Sequence, residues 1–261
     1  MSQTKHSVNH PFKRFLFLCL GLIIMAFGVA FSIQATLGTS PISSVPYVTS
    51  AISGLSVGTT TIIMNFIFIL IQIAILRREY DWFQLLQLPA AILFGVMIDV
   101  AKICIQGITA SNYFEQWILC AVGIFLIAFG VSVEVMAHLV TTAGEGIVLA
   151  ICQKLPIRFG NMKVIFDATL VCIAVILSFL FLGHLDGVRE GTIAAALFVG
   201  SDYQTDQQID KVLSNAPAYN KFSLSPADTG INKFIPVFFT FLYLVLYQVK
   251  SFILDLVKNR S

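Results

Sequence analysis

Thr36-Leu37-Gly38-Thr39-Ser40-Pro41-Ile42-Ser43-Ser44-Val45-Pro46-Tyr47-Val48-Thr49-Ser50-Ala51-Ile52-Ser53 decides the fold, because it is a helix in pattern and yet too short to cross a bilayer. Residues 41–53 would rise only roughly 20 Å, against a hydrocarbon core of about 30 Å. Its opening suits a helix start. Gly38 permits a turn, Ser40 can accept from the unpaired amides as N-cap, and Pro41 fits the first helical position. A second short helix is expected from Ala143 to Leu155, where Thr142 and Glu145 have capping-box spacing.

Long apolar runs surround these two segments: Phe15 to Ala35, Thr59 to Leu76, Phe83 to Cys104, Trp117 to Ala137, Val164 to Leu182 and Phe234 to Val249. Of the 261 residues, 57% are hydrophobic and 11% charged, and the mean hydropathy is +0.86. Soluble domains carry about a quarter charged residues. The solvent for most of this chain is therefore lipid, which excludes a soluble enzyme, a disordered tail and a disulfide scaffold. A net charge of +2 without a basic stripe excludes nucleic acid as a partner. The five cysteines, at 19, 104, 120, 152 and 172, stand singly and read as small apolar packing residues. Lys13 and Arg14 before the first run mark a retained membrane helix with a cytoplasmic start, since the run exceeds an ordinary signal segment.

The sequence also repeats itself. At an offset of 102, Gly21, Ala26, Phe27, Gly28 and Val29 fall on Gly123, Ala128, Phe129, Gly130 and Val131. Ala35, Leu37, Thr39 and Gly58 continue onto Ala137, Leu139, Thr141 and Gly160, and the two short helices coincide. Loop charge indicates how the copies sit. If the short helices turn back, eight basic residues (Lys5, Lys13, Arg14, Arg77, Arg78, Lys154, Arg158, Lys163) share the cytoplasmic side and Arg189 lies outside. If they cross, Arg77 and Arg78 move outside, which the positive-inside rule disfavours. Three spans per repeat then make the second copy enter upside down, the plan of many secondary transporters.

The expected architecture is an all-α, polytopic membrane helix bundle of two inverted repeats, each of about three spans plus a short re-entrant helix. In order, it comprises a cytoplasmic N-terminus (1–14), repeat 1 (15–106), an external loop (107–115), repeat 2 (116–200), a polar loop (201–233) and a C-terminal hydrophobic helix (234–261).

Two features nominate a site. Half-helix starts at membrane depth present partly positive amide clusters suited to an anion or carboxylate, which puts Ser40, Ser43 and Glu145 near a ligand. Polar residues inside spans are costly and face the bundle interior. Asn65 aligns with Asp167, Thr61 with Lys163, Ser32 with Glu134 and Ser43 with Glu145. Lys163 and Asp167 share a face, so a structural ion pair is the plain alternative there. Substrate binding is thus assigned to Ser40, Ser43, Asn65, Glu145, Lys163 and Asp167, and proton coupling to Glu134, Asp167 or Asp99. Gly21 and Gly28, repeated as Gly123 and Gly130, read as close helix packing. No soluble-type catalytic signature, metal-ligand cluster or nucleotide loop is present in the sequence, so no enzyme activity, metal or cofactor is expected.

The stretch from Leu37 to Val48 resembles the signature of the YczE/YyaS/YitT-type bacterial integral membrane proteins. Leu85-Leu86-Gln87-Leu88-Pro89, Phe94-Gly95, Asp99, Gly144-Glu145-Gly146, Phe159-Gly160, Lys163 to Asp167 and Glu190-Gly191-Thr192 extend the likeness over roughly residues 13 to 200. The resemblance implies a bacterial inner-membrane protein and names no substrate. Ala143 stands where the family pattern has proline, and the sequence after Gly200 departs from it. The preferred expectation is a secondary carrier or exporter of a small solute, an anion being one class the helix starts suit, in the bacterial inner membrane with its N-terminus cytoplasmic. Its partners are then the bilayer and that solute, with the oligomeric state open. The alternatives are a non-transporting membrane scaffold or accessory protein and, more remotely, an intramembrane enzyme.

Overall fold

The computed structural model describes residues 11–192, except 109, 111, 138–140, 156 and 158. The expectations for 193–261, including the polar loop and the helix from Phe234, lie outside the described residues. Within them the chain is all helix and turn: α1 (Pro11–Gln34), α2 (Pro41–Ser53), α3 (Val57–Leu76), α4 (Gln87–Ile105), α5 (Tyr113–Ala137), α6 (Ala143–Lys154) and α7 (Phe159–Leu177), the last continued by a π-helical turn, Ser178–Leu182. Five segments are long and apolar enough to cross a membrane: Arg14–Gln34, Val57–Glu79, Trp82–Ile105, Tyr113–Glu134 and Phe159–Leu182. They coincide with the first five apolar runs. Their outward faces carry Phe15, Leu20, Leu70, Ile103, Phe125 and Leu180, exposed as lipid-facing side chains must be. Trp82 and Tyr113, at helix ends, are also exposed, where amphipathic rings meet headgroups.

Glycine brings α1 and α5 together. A Cβ built on Gly28 would lie 2.8 Å from the Gly123 carbonyl, and one on Gly21 would lie 2.9 Å from the Gly130 carbonyl. Side chains at these positions would wedge the backbones apart. The two helices run antiparallel, since the earlier glycine of α1 meets the later glycine of α5. The contacts also exchange under the sequence offset. Gly21 abuts the Glu134 amide, 2.9 Å from its built Cβ, and Gly123 abuts the Ser32 amide at the same 2.9 Å.

The remaining packing has the same character: α3 lies on α6 as α2 lies on α7. Each short helix therefore packs on the long helix that follows the other. The largest apolar cluster joins α2, α3, α6 and α7 around Val48, Phe68, Ile147, Phe166, Leu170 and Ile173, with Phe68 and Phe166 edge to face at 5.5 Å. Within the first copy, Gly58 and Gly95 let α3 approach α4, where a Cβ on Gly95 would come within 2.6 Å of the Gly58 carbonyl.

Main-chain bonds tie two loops at one end of the bundle. The Gly191 amide donates to Leu37 O at 2.8 Å, and the Thr39 amide to Gly187 O at 3.1 Å. Gly38 sits at φ +99°, and a Cβ there would lie 2.7 Å from the Arg189 nitrogen, so glycine is needed for both dihedral and approach. At the opposite end Lys154 bridges to Glu79 at 2.8 Å.

Candidate functional site

Between the starts of the short helices lies a cavity of about 70 Å³. Ser40, Ser43 and Pro46 of the α2 region and Thr141, Thr142 and Ala143 at the α6 start reach it from two directions. Thr61 and Asn65 of α3, Gln87 of α4 and Glu134 of α5 supply its other polar walls, while Leu22, Met25, Phe68 and Phe94 are among the apolar ones. The cavity therefore draws on both sequence copies.

Neither short helix is capped by the side chain its sequence suggests. Ser40 has the extended N-cap backbone (φ −61°, ψ 152°), but its hydroxyl makes no capping bond. Instead it donates to Ser43 Oγ at 3.0 Å. Thr142 likewise holds an N-cap backbone with no side-chain cap bond, so the Thr142–Glu145 capping box does not form. At α6 the side chain of Glu134, from α5, lies close to Thr142 at the helix start, and both line the cavity. A carboxylate from the preceding helix supplies the negative charge that a helix start favours.

Glu134 is 3% exposed, and its Oε2 has no hydrogen-bond partner among the described residues. It is within Coulomb reach of Glu145, which in turn feels Lys163 and Asp167. Lys163 donates to both carboxylate oxygens of Asp167 at 2.7 Å, one turn apart on α7. The nominated residues thus divide. Ser40, Ser43, Asn65 and Glu134 line the cavity. Glu145, Lys163 and Asp167 form a charged group beside it and do not line it.

Asp99 lies elsewhere. It accepts from Ser56 Oγ at 2.6 Å and from the Gly58 amide at 2.8 Å, so α4 caps the start of α3. Ser56 completes the cap by accepting from the Thr59 amide at 3.1 Å.

Sequence reasoning missed Gln72 and Gln87, both essentially buried. Gln72 Nε2 donates to Ala143 O at 2.9 Å, fixing the α6 start to α3, and the Oε1 atoms of both glutamines lack partners among the described residues. Gly146 makes room for them, since a Cβ there would lie 2.7 Å from Gln72 Oε1 and 2.8 Å from Gln87 Nε2. Gly144, in turn, admits Ile42 of α2. A polar side chain within an apolar run, the signal that singled out Asn65, would also have found Gln72.

The sequence pattern of DUF6198, a family of unknown function, matches residues 12–204. The chain belongs to this family. Among its relatives, the uncharacterized protein YyaS of Bacillus subtilis (strain 168) is 26% identical over 174 residues, which cover 66% of this chain and 83% of YyaS. The uncharacterized membrane protein YczE of the same strain is 31% identical over 142 residues, 54% of this chain and 64% of YczE. The resemblance read from Leu37 to Val48 is thereby borne out. No solved structure matches the chain. Family membership, the relative described as a membrane protein and five membrane-length helices make this DUF6198 chain a multi-pass membrane protein. The family match takes in every cavity-lining residue.

Proposed function

We propose that this DUF6198 protein is a secondary carrier or exporter of a small solute in the bacterial inner membrane, built as two inverted repeats with α2 and α6 re-entrant and the N-terminus cytoplasmic. The observation that carries the reading is the cavity flanked by both short-helix starts. A scaffold would have no need of that space, and a packed interior there would have favoured one.

The antiparallel course of α1 and α5 supports the topology. Three helices separate them, so if α2, α3 and α4 all crossed, α1 and α5 would be parallel. With α2 turning back, they oppose each other. The loop ties agree with this arrangement, since Leu37 and Gly191 then share the external side and Glu79 and Lys154 the cytoplasmic side.

In this reading the chain makes and breaks no covalent bonds. Ser40, Ser43, Thr61 and Asn65 contact the solute, and Glu134, the one charged residue lining the cavity among those described, exchanges the coupling proton. Glu145, Lys163 and Asp167 set the field around it.

Proteoliposomes containing the purified protein and loaded with a metabolite extract provide the test. At least one solute should cross faster than in protein-free vesicles, and Ser43→Trp, which fills the cavity, should abolish that flux. If no solute crosses above the protein-free rate, the carrier reading fails.

A further inference from the structure

The two short-helix starts differ in one respect that bears on what the cavity holds. At α6 the chain supplies its own acidic group, because the Glu134 side chain lies close to Thr142 in the cavity wall. The position equivalent to Glu134 in the first copy is Ser32, which is neutral and is packed beside Gly123. The start of α2 therefore has no acidic counterpart from that position. Its Ser40 hydroxyl is turned to Ser43 rather than to the helix amides. Electrostatically, one end of the cavity is a helix start without its own carboxylate. The other holds a 3% exposed carboxylate whose Oε2 lacks a partner.

A simple anion would suit the α2 start and meet repulsion from Glu134 in the same small cavity. A simple cation would suit Glu134 and leave the α2 start without its counter-charge. No Lys, Arg or His lines the cavity among the described residues, so nothing there neutralises Glu134 from within. An unpaired buried carboxylate carries a heavy desolvation cost, which an incoming N–H donor relieves.

Resting on the carrier reading above, we propose that the cavity binds a small zwitterion bearing both a carboxylate and an ammonium group. Its carboxylate sits at the start of α2 beside Ser40 and Ser43, and its ammonium donates to Oε2 of Glu134. The cavity, of about 70 Å³, suits a small solute. The smallest α-amino acids are the simplest zwitterions of this kind. Met25, Phe68 and Phe94 provide apolar wall for a methyl or methylene group. Proton and ammonium are alternatives at Oε2, which links solute binding to the coupling role of the same carboxylate.

Purified full-length protein in nanodiscs, titrated with radiolabelled glycine and L-alanine and with acetate, propionate, methylamine and ethylamine, tests this. Glycine or alanine should bind saturably, with each singly charged analogue at least tenfold weaker. Glu134→Gln, checked for an unchanged elution profile, should weaken zwitterion binding at least tenfold, and Glu134→Asp should recover part of the loss. If Glu134→Gln does not fold, the panel on the unmodified protein decides alone. Acetate binding as tightly as glycine, or Glu134→Gln binding glycine unchanged, would overturn the zwitterion assignment. If Ser43→Trp abolished that acetate binding, the carrier site itself would survive. Absence of binding by every probe would overturn the zwitterion assignment, and the flux measurement in vesicles would then decide the carrier reading separately.

Discussion

At the scale of single residues, the glycines of α1 and α5 do the most for the fold. Gly28 has no room for a methyl group, since the atoms nearest its built Cβ, the Gly123 carbonyl and the Ile127 amide and side chain, lie at 2.8 Å. Gly28→Ala should therefore destabilise the protein by about 1–3 kcal/mol through overpacking. Gly107→Ala, where nothing lies within 4 Å of the built Cβ, should change stability little. Thermal unfolding of both variants in detergent checks the contrast, and equal melting points would refute the packing role. The sequence disclosed these glycines because a seven-residue spacing recurred in the second copy. It did not disclose how the helix starts are satisfied. Thr142 and Glu145 have capping-box spacing, yet the Thr142 side chain makes no cap bond, and Glu134, distant in sequence, lies close to the helix start instead. Local spacing states which bonds are available, and tertiary neighbours determine which are made.

Among elements, the apolar runs were legible because hydrocarbon demands uninterrupted side chains over a fixed length. Their ends were less so. The third run begins as a 3-10 turn, Trp82–Leu86, whose Asp81 side chain accepts from the Phe83 amide, and α4 starts only at Gln87. The fifth starts early, at Phe159, because Asn161 and Lys163 belong to the helix despite their polarity. The second short helix ends at Lys154, one residue before the expected Leu155. Asp99 was read as a coupling carboxylate from its place inside a span, whereas the structure shows it joining α4 to the start of α3. Its two bonds to Ser56 and Gly58 imply that Asp99→Asn costs about 1–2 kcal/mol. A fall in melting temperature would register this, and an unchanged one would argue against the cap.

For the whole molecule, the contact pattern pairs helices in a way that the sequence alone did not give. Matched residues in the sequence aligned the two short helices, but only the packing of α3 on α6 and α2 on α7 shows that each short helix lies against the long helix that follows the other. The cavity's polar wall was half legible: Ser40 came from the short-helix start and Ser43, Asn65 and Glu134 from repeat alignment, while Gln87 carried neither signal. The proposed topology gives a direct expectation. Single cysteines at Arg77 and Tyr113, in a cysteine-free background, should react with an impermeant maleimide from opposite faces of oriented vesicles. Labelling of both from one face would exclude the re-entrant arrangement.

The backbone ties between the loop of Leu37 and Thr39 and that of Gly187 and Gly191 also bear on which sequence changes the protein can absorb. Peptide groups make those bonds whatever side chain they carry, so most substitutions in either loop leave them intact, Gly38 being excepted by its dihedral. Adding or removing a residue shifts every donor past its acceptor. These loops are therefore constrained in length far more tightly than in composition.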